Sequence, residues 1–352
     1  MKVGIIGLGL MGGSIAKGLK LRDNKIEIIA FDTNVEDLKI AKKENIIDNY
    51  TLNIDTSFSN TDYIFICVPV KHTINIAKKL ERIVDSNTLV TDIGSTKNTI
   101  VKTLEDFKFN YIGTHPMVGK EKSGLKYADS HLYDNSYFII TTTDKTKAKD
   151  IEKITSIISL LNAKPLIIPL SKHDFAVSVI SHVPHIIAYS LVDMTKNLED
   201  DNNYLKTLAA GGFKDITRIA SSSPQMWNSI CLDNNDEILK TISEFKKSLN
   251  TIESYIKEKD EIHMIDFFTN SKNYRDSIDN IQKANEITTK IENTPGQLKK
   301  IISILADNNI NIINLSIQDD IDEKHGTLKL YFENVEKKEK AYNILKKESM
   351  IV

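Results

Sequence analysis

The stretch Lys2-Val3-Gly4-Ile5-Ile6-Gly7-Leu8-Gly9-Leu10-Met11-Gly12-Gly13-Ser14-Ile15-Ala16 decides how the first half of the chain is read. Residues 2–7 form a short β-branched run, the pattern of a buried strand. Gly7-Leu8-Gly9-Leu10-Met11-Gly12 then matches G-x-G-x-x-G and opens a helix. One glycine of that pattern serves a tight turn, one the close approach of backbone to a pyrophosphate, and one helix–strand packing. The helix N-terminus turns its unpaired N–H groups and positive dipole end towards the phosphates. Asp32 ends the next strand, 26–31, twenty residues beyond Gly12, where a carboxylate can bond a ribose 2′-hydroxyl. A carboxylate there repels a 2′-phosphate, and no Arg follows in Thr33-Asn34-Val35, so NAD is expected rather than NADP. Val68 and Pro69, at the end of the strand 63–68, complete the expected cofactor contacts. The plainer alternative is a glycine-rich turn followed by an ordinary strand-end aspartate.

Outward from this stretch, short apolar runs alternate with helical patterns. Strands are expected at 2–7, 26–31, 63–68 and Leu89–Asp92, with helices such as 73–84 and 97–107 between them. Tyr137–Thr142 and 166–168 add further strands. The alternation implies a Rossmann-type parallel sheet wrapped by helices over 1–170. From 171 to about 274 the pattern is almost wholly helical, with Ser171 and Asp174 spaced as a capping box at its start. Such apolar helices commonly bury themselves against a second copy, so 171–280 is expected to be a dimerisation region and the protein a homodimer. The segment 286–352 begins again with strands at 287–292, 310–318 and 327–333, helices at 295–308 and Val335–Lys347, and a stub of a fourth strand at 350–352.

Composition narrows the function classes. Of the 352 residues, 41% are hydrophobic and 27% charged, as in a folded globular protein. The net charge of −2 provides no general attraction for nucleic acid or anionic lipid. Cys67 and Cys231 stand in no metal-like spacing, so neither a disulfide nor structural zinc is expected, and a reducing cytoplasm is the default. Lys2 followed by apolar residues superficially resembles a secretory leader, but that run holds five glycines between Val3 and Lys17, spaced for a phosphate-binding turn. No other stretch is expected to reach the length of a membrane span.

Two motifs fall where an open α/β sheet keeps its ligands, beyond the carboxyl ends of strands. They are Thr91-Asp92-Ile93-Gly94-Ser95-Thr96-Lys97 and Gly113-Thr114-His115-Pro116-Met117-Val118-Gly119-Lys120-Glu121-Lys122-Ser123-Gly124. Downstream lie Ile180-Ser181-His182-Val183-Pro184-His185, Gly211-Gly212-Phe213-Lys214-Asp215-Ile216-Thr217-Arg218-Ile219-Ala220 and Met226-Trp227. In this order, behind a dinucleotide fingerprint, the series resembles the prephenate dehydrogenase family over roughly 1–265. The last segment is similar to an ACT domain, a βαββαβ module that binds amino acids, and Asn293-Thr294-Pro295-Gly296-Gln297-Leu298 looks like that module's turn.

The resemblance implies NAD-dependent oxidative decarboxylation of prephenate to 4-hydroxyphenylpyruvate, on the route to tyrosine. Hydride leaves the ring carbon bearing the hydroxyl, the hydroxyl sheds its proton, and the ring carboxylate departs as CO2. Aromatisation drives the step, so orientation and one proton acceptor are the main needs. His115 is the expected acceptor, since imidazole takes protons near neutral pH; the alternative is a turn histidine held by Pro116. Ser95 is expected to bond the same hydroxyl or His115, or else to cap the following helix. Arg218 is expected to bind a substrate carboxylate through its planar fork, or else to pair with Asp215 on a helix surface. His185 and Glu121 match family positions on the substrate side, although Glu121 also reads as part of a solvated turn. His182 and His185 share a helix face, but no further ligands stand at metal spacing, so no metal is expected. Trp227 reads as a core residue or a wall of the pocket.

In the last segment the turn 293–296 would offer free N–H groups to the carboxylate of an amino acid, with Pro295 and Gly296 shaping it and Asn293 or Asn311 meeting the amino group. By family analogy the effector is L-tyrosine; the alternative is a structural appendage. Of three rival readings, the same reaction on arogenate stays open. A β-hydroxyacid dehydrogenase shares the GLGxMG opening but would be expected to use a helical lysine and leaves the HPM and FKDITRIA motifs unexplained. Intact Ser95, His115 and Arg218 speak against a ligand-sensing regulator without catalysis.

Overall fold

Alternating faces of short β-branched strands place apolar side chains on both sides of one sheet, and helices cover each side. The computed structural model describes residues 1–352 except 121, 200–203, 284, 293, 313, 320–324, 349 and 352. They group into two units, Met1–Lys246 and Lys247–Val352.

The first unit opens with β1 (Lys2–Ile6), α1 (Leu10–Arg22), β2 (Glu27–Phe31), α2 (Val35–Lys43), β3 (Asn49–Thr51) and β4 (Tyr63–Ile66). It continues through α3 (Val70–Leu80), β5 (Leu89–Asp92), α4 (Asn98–Leu104), β6 (Asn110–Pro116), β7 (Tyr137–Thr142), α5 (Ala148–Leu160) and β8 (Lys164–Pro169). The strands form one eight-stranded sheet in the order β3-β2-β1-β4-β5-β6-β7-β8. Ile5, Ile28 and Phe65 point into one core, while Ile6, Ile29, Ile64 and Ile66 point into the core on the opposite face. The sheet is mostly parallel rather than wholly so, because β7 lies antiparallel to β6 and β8 runs with β7. Among the described residues only a single 3-10 turn, Leu125–Tyr127, lies between β6 and β7, so the chain returns without the α-helical crossover usual for a parallel neighbour. The short edge strand β3, absent from the sequence expectation, pairs with the end of β2.

The helical part comprises α6 (Leu170–Val177), a π-helical turn at Ser178–His182, α7 (Val183–Leu198), α8 (Tyr204–Leu208), α9 (Gly211–Thr217), a 3-10 turn at Arg218–Ser221, α10 (Pro224–Asp233) and α11 (Asn235–Glu258). Pro184 has no N–H to donate one turn back, and the π turn absorbs that break. Two capping expectations are corrected. Ser171 lies inside α6, whose N-cap is Pro169, and Ser95 does not cap α4, whose N-cap is Lys97. Asp174 of α6 caps α4 from a distance instead: its Oδ1 accepts from Lys97 N and its Oδ2 from Asn98 N, each at 2.9 Å. A tertiary contact thus supplies what a local box was expected to supply.

The expectation about membrane-span length is also corrected. Leu170–Leu198 is long and apolar enough to cross a membrane by length and composition alone. Its buried positions include the polar His173, Asp174, Ser178 and His182, whereas Ile180 and Leu198 are 65% and 67% exposed. Hydrogen-bonded polar groups on the protein side and an open apolar side fit a helix that meets another subunit better than one bathed in lipid, where polar groups are costly.

In the second unit, α12 (Glu261–Lys283) precedes β9 (Glu286–Glu292), α13 (Gln297–Asp307), β10 (Asn314–Asp319), β11 (His325–Tyr331) and α14 (Val335–Lys347). The strands form an antiparallel sheet in the order β10-β11-β9. Ile287, Leu328 and Leu330 pack with Ile301 and Leu305 of α13 and Leu345 of α14. Among the described residues the expected stub adds no strand; Ile351 instead buries its side chain in this core.

Candidate active site

In the sheet order, β1 and β4 lie side by side although their crossovers leave in opposite directions. That switch point opens a crevice beyond the carboxyl ends of the strands. Gly7 sits there with φ +97°, and a Cβ on it would stand 2.4 Å from the carbonyl oxygen of Cys67. A Cβ on Gly12 would meet the carbonyl oxygen of Gly7 at 2.0 Å. Beside Gly9, by contrast, nothing approaches within 4 Å of a Cβ position, so the loop is closed on itself and open only towards the crevice. The side chains of Leu8 and Leu10 belong to the core and Met11 packs against it, so these residues can serve a ligand only through their backbone. Gly9 is the N-cap of α1 and provides no side-chain cap, which leaves the first N–H groups of the helix to a ligand.

Asp32 follows β2 at the same edge. Its Oδ2 accepts from Leu8 N at 2.6 Å and its Oδ1 from Asn34 N at 2.8 Å. The carboxylate therefore braces the glycine loop while staying partly exposed. Val68 is half-buried and Pro69 exposed where β4 passes into α3. These residues fit a dinucleotide: a backbone cradle, a helix N-terminus and an acid at the ribose position.

The loop from β5 to α4 is wound around Asp92. Gly94 N donates to Asp92 Oδ2 at 2.8 Å, and the fully buried Lys97 donates its Nζ to the same oxygen at 2.6 Å. Tyr111 of β6 donates its hydroxyl to Asp92 Oδ1 at 2.6 Å, and burial beside that carboxylate pushes its pKa well up. Ser95 is half-buried in this loop, and no hydrogen bond joins it to His115 among the described residues.

His115 lies in β6 rather than in a turn, two residues past Gly113, the partner of Asp92 in the ladder. Its Nδ1 stands 3.0 Å from Nε2 of His173, whose Nδ1 stands 2.7 Å from Asp174 Oδ1. Burial lowers the pKa of His115 well below the usual histidine range, and the neighbouring His173, Lys97 and His182 lower it further. Burial also lowers that of His173, outweighing the upward pull of Asp174. For Asp174, burial pushes upward, but hydrogen bonds from His173 and from the backbone of Asn98 and Lys97 hold it below the carboxylate norm.

The site continues along the helix of residues 170–198. His182 is buried, its Nδ1 accepts from Asn234 Nδ2 at 3.1 Å, and burial takes its pKa down to about 4. His185, one turn on, bonds through Nδ1 to Ser181 O at 2.9 Å and stacks on Trp227 with ring centroids 4.0 Å apart. Two buried polar atoms, His182 Nε2 and Trp227 Nε1, have no hydrogen-bond partner. Trp227 is thus a buried residue that packs against His185. Arg218 is exposed at the start of the 3-10 turn, which Tyr189 of α7 ties down by donating its hydroxyl to Ser222 O at 2.8 Å.

The residues expected to hold the cofactor, Ser95 and His115 therefore gather at one sheet edge, and His185 and Arg218 are linked through α7. Glu121 and Asn293 lie outside the described residues. Of the other expected effector positions, Pro295 and Gly296 form the exposed turn before α13, with Gly296 at φ +98°, and Asn311 is exposed. A cavity of about 100 Å³ beside that turn is lined by Ile291, Glu292, Thr294, Gln297, Leu298, Ile317 and Gly326, and by neither Pro295, Gly296 nor Asn311.

Sequence reasoning missed His173, and it took Asp174 only for a local cap. The visible signal was Lys172-His173-Asp174 at the head of an apolar helix, but nothing local reveals that this face meets β6. Nothing local in Thr91–Lys97 signals that Lys97 and Asp92 form a fully buried ion pair.

Comparison with protein families matches three successive regions of the chain. The nucleotide-binding domain of prephenate dehydrogenase matches 15–167, its dimerisation domain 169–270, and an ACT domain 285–348. The dimerisation domain implies a homodimer. The prephenate dehydrogenase of Bacillus subtilis is 33% identical over 96% of this chain and 93% of its own length. That of Lactococcus lactis subsp. cremoris is 32% identical over 98% of both. The crystal structure of prephenate dehydrogenase from A. aeolicus, in complex with hydroxyphenyl propionate and NAD+, superposes with a TM-score of 0.75 at 35% identity, covering 79% of this chain and 98% of that one. Sheet order, glycine cradle, buried histidine and a 33% identity that spans nearly the full length all converge, and the chain belongs to the prephenate dehydrogenase family.

Proposed function

We propose that this chain converts prephenate to 4-hydroxyphenylpyruvate and CO2, with His115 as the proton acceptor. When bound, NAD supplies the acceptor for the hydride that leaves the substrate's hydroxyl-bearing carbon. His115 takes the hydroxyl proton as that bond to hydrogen breaks. Once the ring carboxylate has left and its electrons have made the ring aromatic, the protonated imidazole returns the proton to the phenolate oxygen. Ser95 orients the hydroxyl, Arg218 grips a carboxylate of the dianion, and His185 and Glu121 complete the substrate side. Gly7, Leu8, Gly9, Leu10, Met11, Gly12, Asp32, Val68 and Pro69 hold the dinucleotide. In this reading 1–170 binds the cofactor, 171–280 shapes the substrate site and the dimer, and 286–352 senses L-tyrosine through Asn293, Pro295, Gly296 and Asn311. The free thiols of Cys67 and Cys231 suit a cytoplasmic enzyme.

The observation that carries this reading is a buried histidine, kept neutral by its surroundings, at the strand edge shared with the dinucleotide cradle. The test is NADH formation with prephenate and with arogenate, for the unaltered protein and for His115→Asn. Prephenate should be turned over, and His115→Asn should lower kcat by about 10²- to 10⁴-fold, the scale of acid–base groups. Near-normal turnover by His115→Asn rules out the role, and turnover of arogenate alone rules out the substrate.

A further inference from the structure

We infer that His173, fastened by Asp174, fixes the tautomer of His115 and thereby decides which ring nitrogen stands ready for the substrate proton. The inference rests on reading His115 as the proton acceptor. It follows from one chain of contacts. A carboxylate can only accept, and Asp174 Oδ1 stands 2.7 Å from His173 Nδ1, so that nitrogen must carry hydrogen. The opposite arrangement would set a bare nitrogen against a carboxylate oxygen. His173 is fully buried and its pKa is lowered, so the ring holds a single proton and its Nε2 is bare. Across 3.0 Å, that bare nitrogen accepts a hydrogen from Nδ1 of His115. The neutral His115 then has only its Nε2 lone pair left to receive a proton. An imidazole free of partners favours hydrogen on Nε2, the form with nothing to offer there.

Asp174 is itself held rigidly. It receives the N–H groups of Lys97 and Asn98, so the same carboxylate that orients His173 anchors the loop carrying Ser95. Asn234 Nδ2 donates to the carbonyl oxygen of Asp174 at 2.9 Å and fixes its backbone. When His115 becomes an imidazolium, His173 still accepts from its Nδ1, with the Asp174 carboxylate behind it. His173 is therefore a positioning residue that does not itself touch substrate.

The experiment combines kinetics with nitrogen-15 NMR of labelled histidines in the full-length protein, the His115 signals being assigned by their loss in His115→Asn. The unaltered protein should show His115 protonated on Nδ1 and bare on Nε2; the reverse overturns the inference whatever any variant does. His173→Leu should move His115 towards the Nε2–H form and lower kcat about 10²-fold, at unchanged KM for NAD. His173→Gln, whose amide oxygen can still accept from His115, should fall between the two. A merely structural role would lower thermal stability and the fraction able to bind NAD without changing the tautomer of the folded fraction. If both His173 variants keep kcat within threefold of normal while His115→Asn is crippled, His173 does not position the base and the reading of His115 survives. If His115→Asn keeps its turnover, both fall together.

Discussion

Asp32 illustrates how one side chain serves two masters at this site. Its carboxylate braces Leu8 in the glycine loop and, on the proposed reading, receives the ribose hydroxyl of NAD. Asp32→Asn keeps an acceptor for that N–H while removing the charge, so it should narrow the preference for NAD over NADP in kcat/KM without unfolding the loop. Asp32→Ala should in addition weaken NAD binding, since a hydrogen bond to a charged group contributes about 1.5–3 kcal/mol. Equal efficiency with both cofactors in the unaltered protein would defeat the assignment. For Arg218→Ala the expected change is mainly a raised KM for prephenate, because carboxylate binding is felt in ground and transition states alike; a fall in kcat alone would contradict it. His115 must be neutral to accept a proton. Burial and the flanking His173, Lys97 and His182 all lower its pKa, so kcat/KM should stay level as pH falls through 6.5 and drop only well below it. A half-fall at or above pH 6.5 that vanishes in His115→Asn would show the histidine to be better solvated than its burial implies.

At the scale of elements, the helix running from Leu170 to Leu198 carries most of the tension between polar and apolar faces. His182 illustrates the cost. Its folded pKa of about 4 lies below the unfolded value of about 6.5, so between those two pH values the unfolded chain binds the proton more tightly. Stability is therefore held above pH 6.5 and lost as pH falls towards 4, with His115 and His173 adding in the same direction. Melting temperature should decline across that window, and His182→Asn, which keeps a polar atom near the position of Nδ1, should flatten the decline. An identical slope in both proteins would place the acid sensitivity elsewhere. Element boundaries were readable wherever local chemistry controls them: Leu89–Asp92, Tyr137–Thr142 and Val335–Lys347 stand as expected. The reversal of β7 and the capping of α4 were not readable. Strand direction depends on how the chain returns to the sheet, and the cap comes from a residue 76 positions away from Asn98.

For the whole molecule, the main prediction concerns the C-terminal domain. Effector binding weakens catalysis only by favouring a less active conformation, so inhibition by L-tyrosine at sub-saturating prephenate should reach a plateau. A chain ending at Asn285 should keep activity and lose most of that inhibition, measured as initial rates of NADH formation. Equally strong inhibition of the shortened chain would mean competition at the active site. The cofactor cradle, the order of domains and the family were legible in the chain itself, because glycines, a strand-end acid and short motifs act locally or in fixed register with their own strand. His115, Ser95, Arg218 and His185 were legible as residue types at known spacings. Their partners were not. His173 reaches His115 across 58 positions and Asp174 reaches α4 across 76, and only the packing of α6 against the sheet edge brings those groups together. Protonation states depend on burial and on neighbours arriving from other elements, and for that reason the tautomer of the proposed base belongs to the tertiary structure alone.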